Sequence, residues 1–172
     1  RVAAEGGEVT ILTRPDSASG FKEHDYPDVL PGSRHAVVLL FTGFIGTNRI
    51  GLIDLRSGEL THLTEGSIAR FLPPRMLVIG DAEGRLLAAP FDARRGRITG
   101  TPVVVHGGVE YDVSAGTVEF AIAGNGTLVY QRRSEGTTGI VWVDRTGAIT
   151  PVDTTLTGGF TDLALSPDAS RV

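Results

Sequence analysis

The sequence predicts an all-β chain assembled from a repeated four-strand unit. Two interleaved series of turn residues carry that prediction, together with a near absence of helical periodicity. A glycine in the second hairpin of each unit recurs at Gly7, Gly58, Gly96 and Gly147, in steps of 51, 38 and 51 residues. A first turn recurs as Pro31-Gly32-Ser33, Pro73-Pro74, Gly124-Asn125-Gly126 and Pro167-Asp168-Ala169, and the two series alternate without a break. A four-strand repeat of roughly 40 to 50 residues marks the blade of a β-propeller. Unequal steps arise when loops vary in length while strands do not. No dozen-residue window free of Gly and Pro places apolar residues at i, i+3, i+4 and i+7.

The elements follow in order. Glu8 to Thr13 reads as a short strand after the Gly6-Gly7 turn, and 14–22 reads as a polar loop. His24 starts an inner strand. Arg34 to Thr42 is apolar almost throughout, as in a strand buried on both faces. Arg49 to Asp54 and Leu60 to Thr64 form a hairpin across Gly58. Met76 to Ile79 and Leu86 to Phe91 flank a turn bounded by Gly80 and Gly84, and Pro102 to His106 closes that unit. Val118 to Ala123 and Thr127 to Gln131 flank Asn125-Gly126, a strong hairpin cue. Ile140 to Asp144 and Ile149 to Asp153 flank Gly147, and Thr161 to Leu165 starts a further unit. The expected fold is therefore an all-β propeller of four-stranded antiparallel blades. Residues 1–22 end one blade, 23–66, 67–108 and 109–159 form three near-complete blades, and 160–172 begin the next. A lone blade cannot bury both faces, so a stack or closed ring is needed; the terminal pieces could combine into one composite blade of a four-blade ring, but a piece of a six- to eight-blade ring is the expectation, because four-blade rings are uncommon.

Composition narrows function. A hydrophobic fraction of 41% supports a sizeable core, and 23 glycines with 9 prolines suit a chain of many turns. A net charge of -4 offers no basic face for nucleic acid. The absence of cysteine excludes disulfides, a thiolate nucleophile and Cys-ligated zinc. The longest uninterrupted apolar run is Ala36 to Phe41, far short of the ~20 residues of a spanning helix, so no direct membrane insertion by this segment is expected.

Catalytic motifs are missing. There is no G-x-S-x-G elbow, and Ser114-Ala115-Gly116 reads as a turn. His24, His35, His62 and His106 show no metal-ligand spacing, and Asp25-Tyr26-Pro27-Asp28 lacks the pattern of a calcium loop. His24 stands out, because Asp25 and Asp28 follow it near the expected channel mouth. Gly43 to Thr47 is too short for a P-loop and lacks its lysine. The basic clusters Arg94-Arg95-Gly96-Arg97 and Arg132-Arg133 read as solvated outer edges. Asn125-Gly126-Thr127 matches a glycosylation acceptor but is explained by the hairpin. Tyr26, Tyr111 and Phe160 each stand just before an inner strand, where a ring of aromatics could touch a ligand at the channel mouth. His24, Tyr26, Tyr111 and Phe160 are thus the candidate binding residues. No catalytic residue, metal or cofactor is expected.

Leu165-Ser166-Pro167-Asp168-Ala169-Ser170-Arg171-Val172 resembles the SPDG turn of the TolB-like and WD40-like (PD40-type) bacterial propeller repeat, with Ala169 where Gly is usual. YPDVLPGSRHAVV is similar to a variant of that turn. LLAAPFDARRGRITGTPVVVHGG, followed by Gly126-Thr127-Leu128-Val129-Tyr130 and Trp142-Val143-Asp144-Arg145-Thr146-Gly147, resembles propellers attached to eukaryotic-like serine/threonine kinases of bacteria. The resemblance implies a non-catalytic sensory or scaffolding module. It would be periplasmic or extracytoplasmic, with a protein or peptide partner. Kinase activity does not carry over, because the Gly-rich loop, His-Arg-Asp and Asp-Phe-Gly motifs are absent. Similar propellers also gate prolyl-oligopeptidase-like serine peptidases or stand alone in the periplasm, and these are the alternative settings.

Overall fold

The computed structural model describes residues 1–133, 139–155 and 163–167. The first sheet holds β1 (Glu23–Val29), β2 (His35–Phe41), β3 (Arg49–Asp54) and β4 (Leu60–Glu65), antiparallel and in chain order. The second holds β5 (Ile68–Leu72), β6 (Met76–Gly80), β7 (Leu86–Asp92), β8 (Arg97–Ile98) and β9 (Val103–His106). A two-stranded hairpin of β10 (Tyr111–Asp112) and β11 (Thr117–Val118) follows. The third sheet holds β12 (Phe120–Ile122), β13 (Leu128–Gln131), β14 (Ile140–Val143) and β15 (Ile149–Pro151), again in chain order.

Side-chain alternation explains why β2 is apolar throughout. Val37, with Ile50 and Leu52 of β3, faces the second sheet and packs with Leu77, Ile79 and Phe91. Val38 and Leu40 face the other way, where Ile53, Phe21 and Leu60 cover them. On the far side of the second sheet, Ile68, Val78 and Leu86 pack against Phe120, Tyr130 and Val141 of the third. The middle sheet is therefore buried on both faces, as stacked blades require. Full burial of one such side chain, Phe91 for example, is worth roughly 1.5–3 kcal/mol.

The turns follow the repeat. Pro31-Gly32-Ser33, Pro73-Pro74 and Gly124-Asn125-Gly126 each join the first and second strands of a sheet, whereas Gly58, Gly96 and Gly147 each lie between later strands. An aspartate organises several of these hairpins. Asp54 Oδ1 accepts the N–H groups of Arg56 and Ser57, and Gly58 N–H donates to the Asp54 carbonyl at 2.8 Å. Asp92 and Asp112 cap their turns in the same way. Four residues after each aspartate stands a glycine with φ of 76°, 63° or 70° (Gly58, Gly96, Gly116), a left-handed conformation that costs other residues roughly 1–2 kcal/mol.

One expectation needs correction. Glu8 to Thr13 forms no strand. That segment folds back on itself, Thr10 N–H donating to the Arg1 carbonyl at 2.7 Å, and leaves Val9 and Ile11 exposed. Without a ladder partner its alternating pattern has nothing to pair with. The second sheet does close on β9, within the expected Pro102 to His106, and a short β8 ahead of it pairs with the other end of β7. Pro102, which lacks an N–H, lies between the two.

Candidate binding site at the loop end

The first strands of the three sheets lie side by side, and β5 occupies the middle. Arg70 Nη1 donates to the Tyr26 carbonyl of β1 at 3.2 Å. Phe71 N–H donates to the Asp28 carboxylate at 2.7 Å. Burial lowers the Arg70 pKa, while the nearby charges of Asp28 and Glu119 oppose that shift. A guanidinium remains charged through any such change, so Arg70 is a cation held between acidic groups of both neighbouring sheets. The β1 ladder shifts register between Asp25 and Asp28, and Tyr26 in that irregularity has a φ of 49°. Such an irregularity leaves a residue outside the ladder, and here the carbonyl of Tyr26 meets Arg70.

His24 sits at the start of β1, with Nδ1 2.9 Å from Thr13 Oγ1. Burial lowers its pKa and Asp25 partly counters this. The Asp25 carboxyl is shifted upward by burial first and by Glu23 second. Tyr26 lies inside β1, not before it, and it packs against the same apolar cluster as Tyr111. Tyr111 lies in the β10–β11 hairpin. The two tyrosines therefore do not occupy equivalent places in successive sheets, as the expected aromatic ring required. The reason is an extra hairpin in the link ahead of the third sheet. Phe160, and with it most of the Leu165–Val172 motif, lies outside the described residues.

That hairpin is the feature the sequence reading missed. It turns at Asp112 to Gly116, so Ser114-Ala115-Gly116 is indeed part of a turn. The turn reaches back from the third sheet to the first. Asn48, which is buried, donates from Nδ2 to the Gly116 carbonyl at 3.0 Å, and its Oδ1 accepts Thr42 N–H at 3.0 Å. Both partners are backbone groups of fixed polarity, so the amide has one workable orientation. Val118 packs against the bare backbone of Gly80, where a Cβ would collide with it. The spacing of Asp112 and Gly116, shared with Asp54/Gly58 and Asp92/Gly96, was the available signal.

The hairpin helps to wall a cavity of about 320 Å³, whose lining includes Asn48, Thr64, Ser67, Asp81, Arg85 and Tyr111. The charged groups in its wall are paired. Arg85 meets Asp81 at 2.7 Å and Glu83 at 2.9 Å, and Arg49 meets Glu65 at 3.2 Å. Tyr111 is 7% exposed, and its buried hydroxyl has no hydrogen-bond partner among the described residues. Three large apolar side chains are exposed on the loops of this region. They are Phe44 (68%) and Ile45 (59%), just before Asn48, and Val113 (67%) in the hairpin turn. A second cavity, of about 780 Å³, lies at the opposite end of the second sheet among Pro31, Pro73, Pro74, Arg94 and Arg95. Among the described residues, no three His, Asp or Glu side chains converge as a metal site would require.

The sequence matches no protein-family profile and no curated protein. In structure the chain is similar to regucalcin, a calcium-binding protein of Agrobacterium tumefaciens strain C58, with a TM-score of 0.51 and 21% identity. The match covers 73% of this chain and 43% of regucalcin, so it spans less than half of that protein. Regucalcin is a β-propeller. A likeness at this identity speaks to fold alone, and it agrees with the stacked four-stranded sheets: the chain is an all-β assembly of propeller blades.

Proposed function

We propose that the chain is a non-catalytic interaction module that takes a protein or peptide partner on its loop end. We further propose that it serves as the sensory or scaffolding part of a bacterial receptor-like serine/threonine kinase. The observation that carries the first reading is the exposure of Phe44, Ile45 and Val113 on loops that Asn48 ties together. Exposed apolar side chains on anchored loops favour association, because their burial against a partner removes apolar area from water. The kinase setting rests on the PFD-to-WVDR motif resemblance, and TolB-like repeats remain the kindred type.

Selection of a random-peptide library on the immobilised chain tests the partner surface. Enriched peptides should lose binding when Phe44 and Val113 are both changed to Ser. Peptides that bind that double variant as well as the original chain would place the surface elsewhere. The kinase setting is tested by the encoding reading frame. A kinase domain on the same polypeptide supports it, whereas an α/β-hydrolase domain carrying G-x-S-x-G would replace it with a substrate-gating role.

A further inference from the structure

We propose that β9, the outer edge of the second sheet, pairs antiparallel with β9 of a second copy of this chain, joining the two middle sheets across a two-fold axis. None of its residues belongs to the partner surface proposed above.

Position is the first argument. β9 pairs with β7 on one side, and among the described residues no strand pairs with its other side. Backbone N–H and C=O groups along such an edge are a template for a further strand. The faces of this sheet are already covered by the first and third sheets, so it can grow only along its edge.

Chemistry is the second argument. Edge strands are ordinarily guarded by a charge or a proline. β4, the last strand of the first sheet, carries Glu65, whose side chain is 79% exposed. β15, the last strand of the third, ends on Pro151, which has no N–H. β9 has neither guard. It reads Val103-Val104-Val105-His106, and residues 98–109 contain no Asp, Glu, Lys or Arg. The three valines are 57%, 55% and 56% exposed, although neighbours along a strand point to opposite faces. Both sides of the edge are therefore apolar and open. One register shift skips Val105, and it leaves Val103 and Val104 paired with Ala88 and Leu87.

The same chemistry selects the occupant. Antiparallel pairing of two uncharged, valine-rich strands sets apolar side chains against each other and brings no like charges together. The edge is thus its own complement, as a two-fold contact between identical surfaces requires. Four residues a side make a small contact, so the dimer is weak and forms at high micromolar concentration.

Sedimentation equilibrium of the whole chain, from about 10 µM to about 1 mM, reads the dimer. Amide hydrogen exchange over the same range locates it, and exchange within Val103 to Val105 should slow as concentration rises. V103K/V105K sets lysines near lysines across the axis. It should weaken dimerisation by about tenfold or more and leave Tm within a few degrees of the original, since both side chains are exposed. F44S/V113S should dimerise like the original chain, which separates this contact from the loop-end surface. The proposal is overturned if the original chain stays monomeric throughout, if V103K/V105K dimerises as tightly, or if a dimer forms without slower exchange in β9. The exchange measurement needs no substitution, so it decides the matter even where the lysine variant fails to fold.

Discussion

Asn48 is the most informative single position to perturb, because it joins elements 68 residues apart through two backbone groups. In N48A the Gly116 carbonyl loses its donor and the Thr42 N–H loses its acceptor. An unpaired buried backbone group costs about 1–3 kcal/mol. Gly116 is buried and Thr42 only half-buried, so the two together should cost about 2–4 kcal/mol. At this chain length that corresponds to a fall in Tm of about 5–15 °C. N48D separates the two bonds. Its carboxylate still accepts from Thr42 but sets a second acceptor against the Gly116 carbonyl. It should be less stable than N48A at neutral pH. Burial and the facing carbonyl would raise the folded-state pKa of the new carboxyl above its unfolded value. The protonated form can donate to Gly116, so stability should recover as pH falls through that raised pKa.

Urea unfolding gives the global term, and amide hydrogen exchange gives the local one. Exchange should accelerate most at Ala115 and Gly116, whose N–H groups donate to Asp112 within the hairpin turn. The reasoning fails if N48A costs less than about 0.5 kcal/mol, the level of an ordinary surface change. It also fails if stability drops while exchange in the hairpin stays at its original rate, since Asn48 would then serve only its own loop.

Other perturbations probe the remaining links. G80A should destabilise the chain by about 1–3 kcal/mol through overpacking against Val118, and V118A in the same chain should restore part of the loss; additive effects in a double-mutant cycle would disprove that contact. L77A removes a fully buried side chain between the first two sheets and should cost about 2–5 kcal/mol by urea midpoint. The N–H groups of Ser57 and Arg56 hold the Asp54 pKa at about 2, below its unfolded value. Its contribution is therefore complete above about pH 4 and lost as pH falls towards 2. D54N should flatten the acid limb of the stability profile between those values, and a profile parallel to the original would remove Asp54 from the account.

Strand runs with strong apolar content were readable in the sequence. Arg49 to Asp54 forms β3 to the residue, and β2, β6 and β7 differ from their predicted spans by a residue or so. Their composition leaves little freedom, because a continuous apolar run has to be covered on both faces. Weaker signals failed for identifiable reasons. Glu8 to Thr13 has strand-like alternation, but pairing depends on a neighbour that alternation does not specify. Tyr26 is expected just before an inner strand, yet β1 begins at Glu23 and is irregular between Asp25 and Asp28. Its residues are polar and half-buried, so neither periodicity nor hydropathy marks that shift.

The hairpin shows why the candidate site was harder to read than the sheets that carry it. The step from Gly58 to Gly96 is 38 residues, and the step from Gly96 to Gly147 is 51. The link between β4 and β5 is residues 66–67, whereas the link between β9 and β12 is residues 107–119. The longer step thus coincides with a longer link at the loop end, and that link folds into β10 and β11. Strands of two residues are too short to show alternation, so only the turn chemistry of Asp112 and Gly116 could reveal them. Tertiary contact then gives the link its place: Asn48 holds its turn, Gly80 admits Val118, and Tyr111 joins the cavity wall. None of these three contacts is local in sequence. The repeat specifies where the sheets stand, but the site is made where one link departs from the repeat, and its partners are set by the packing of blades rather than by any motif.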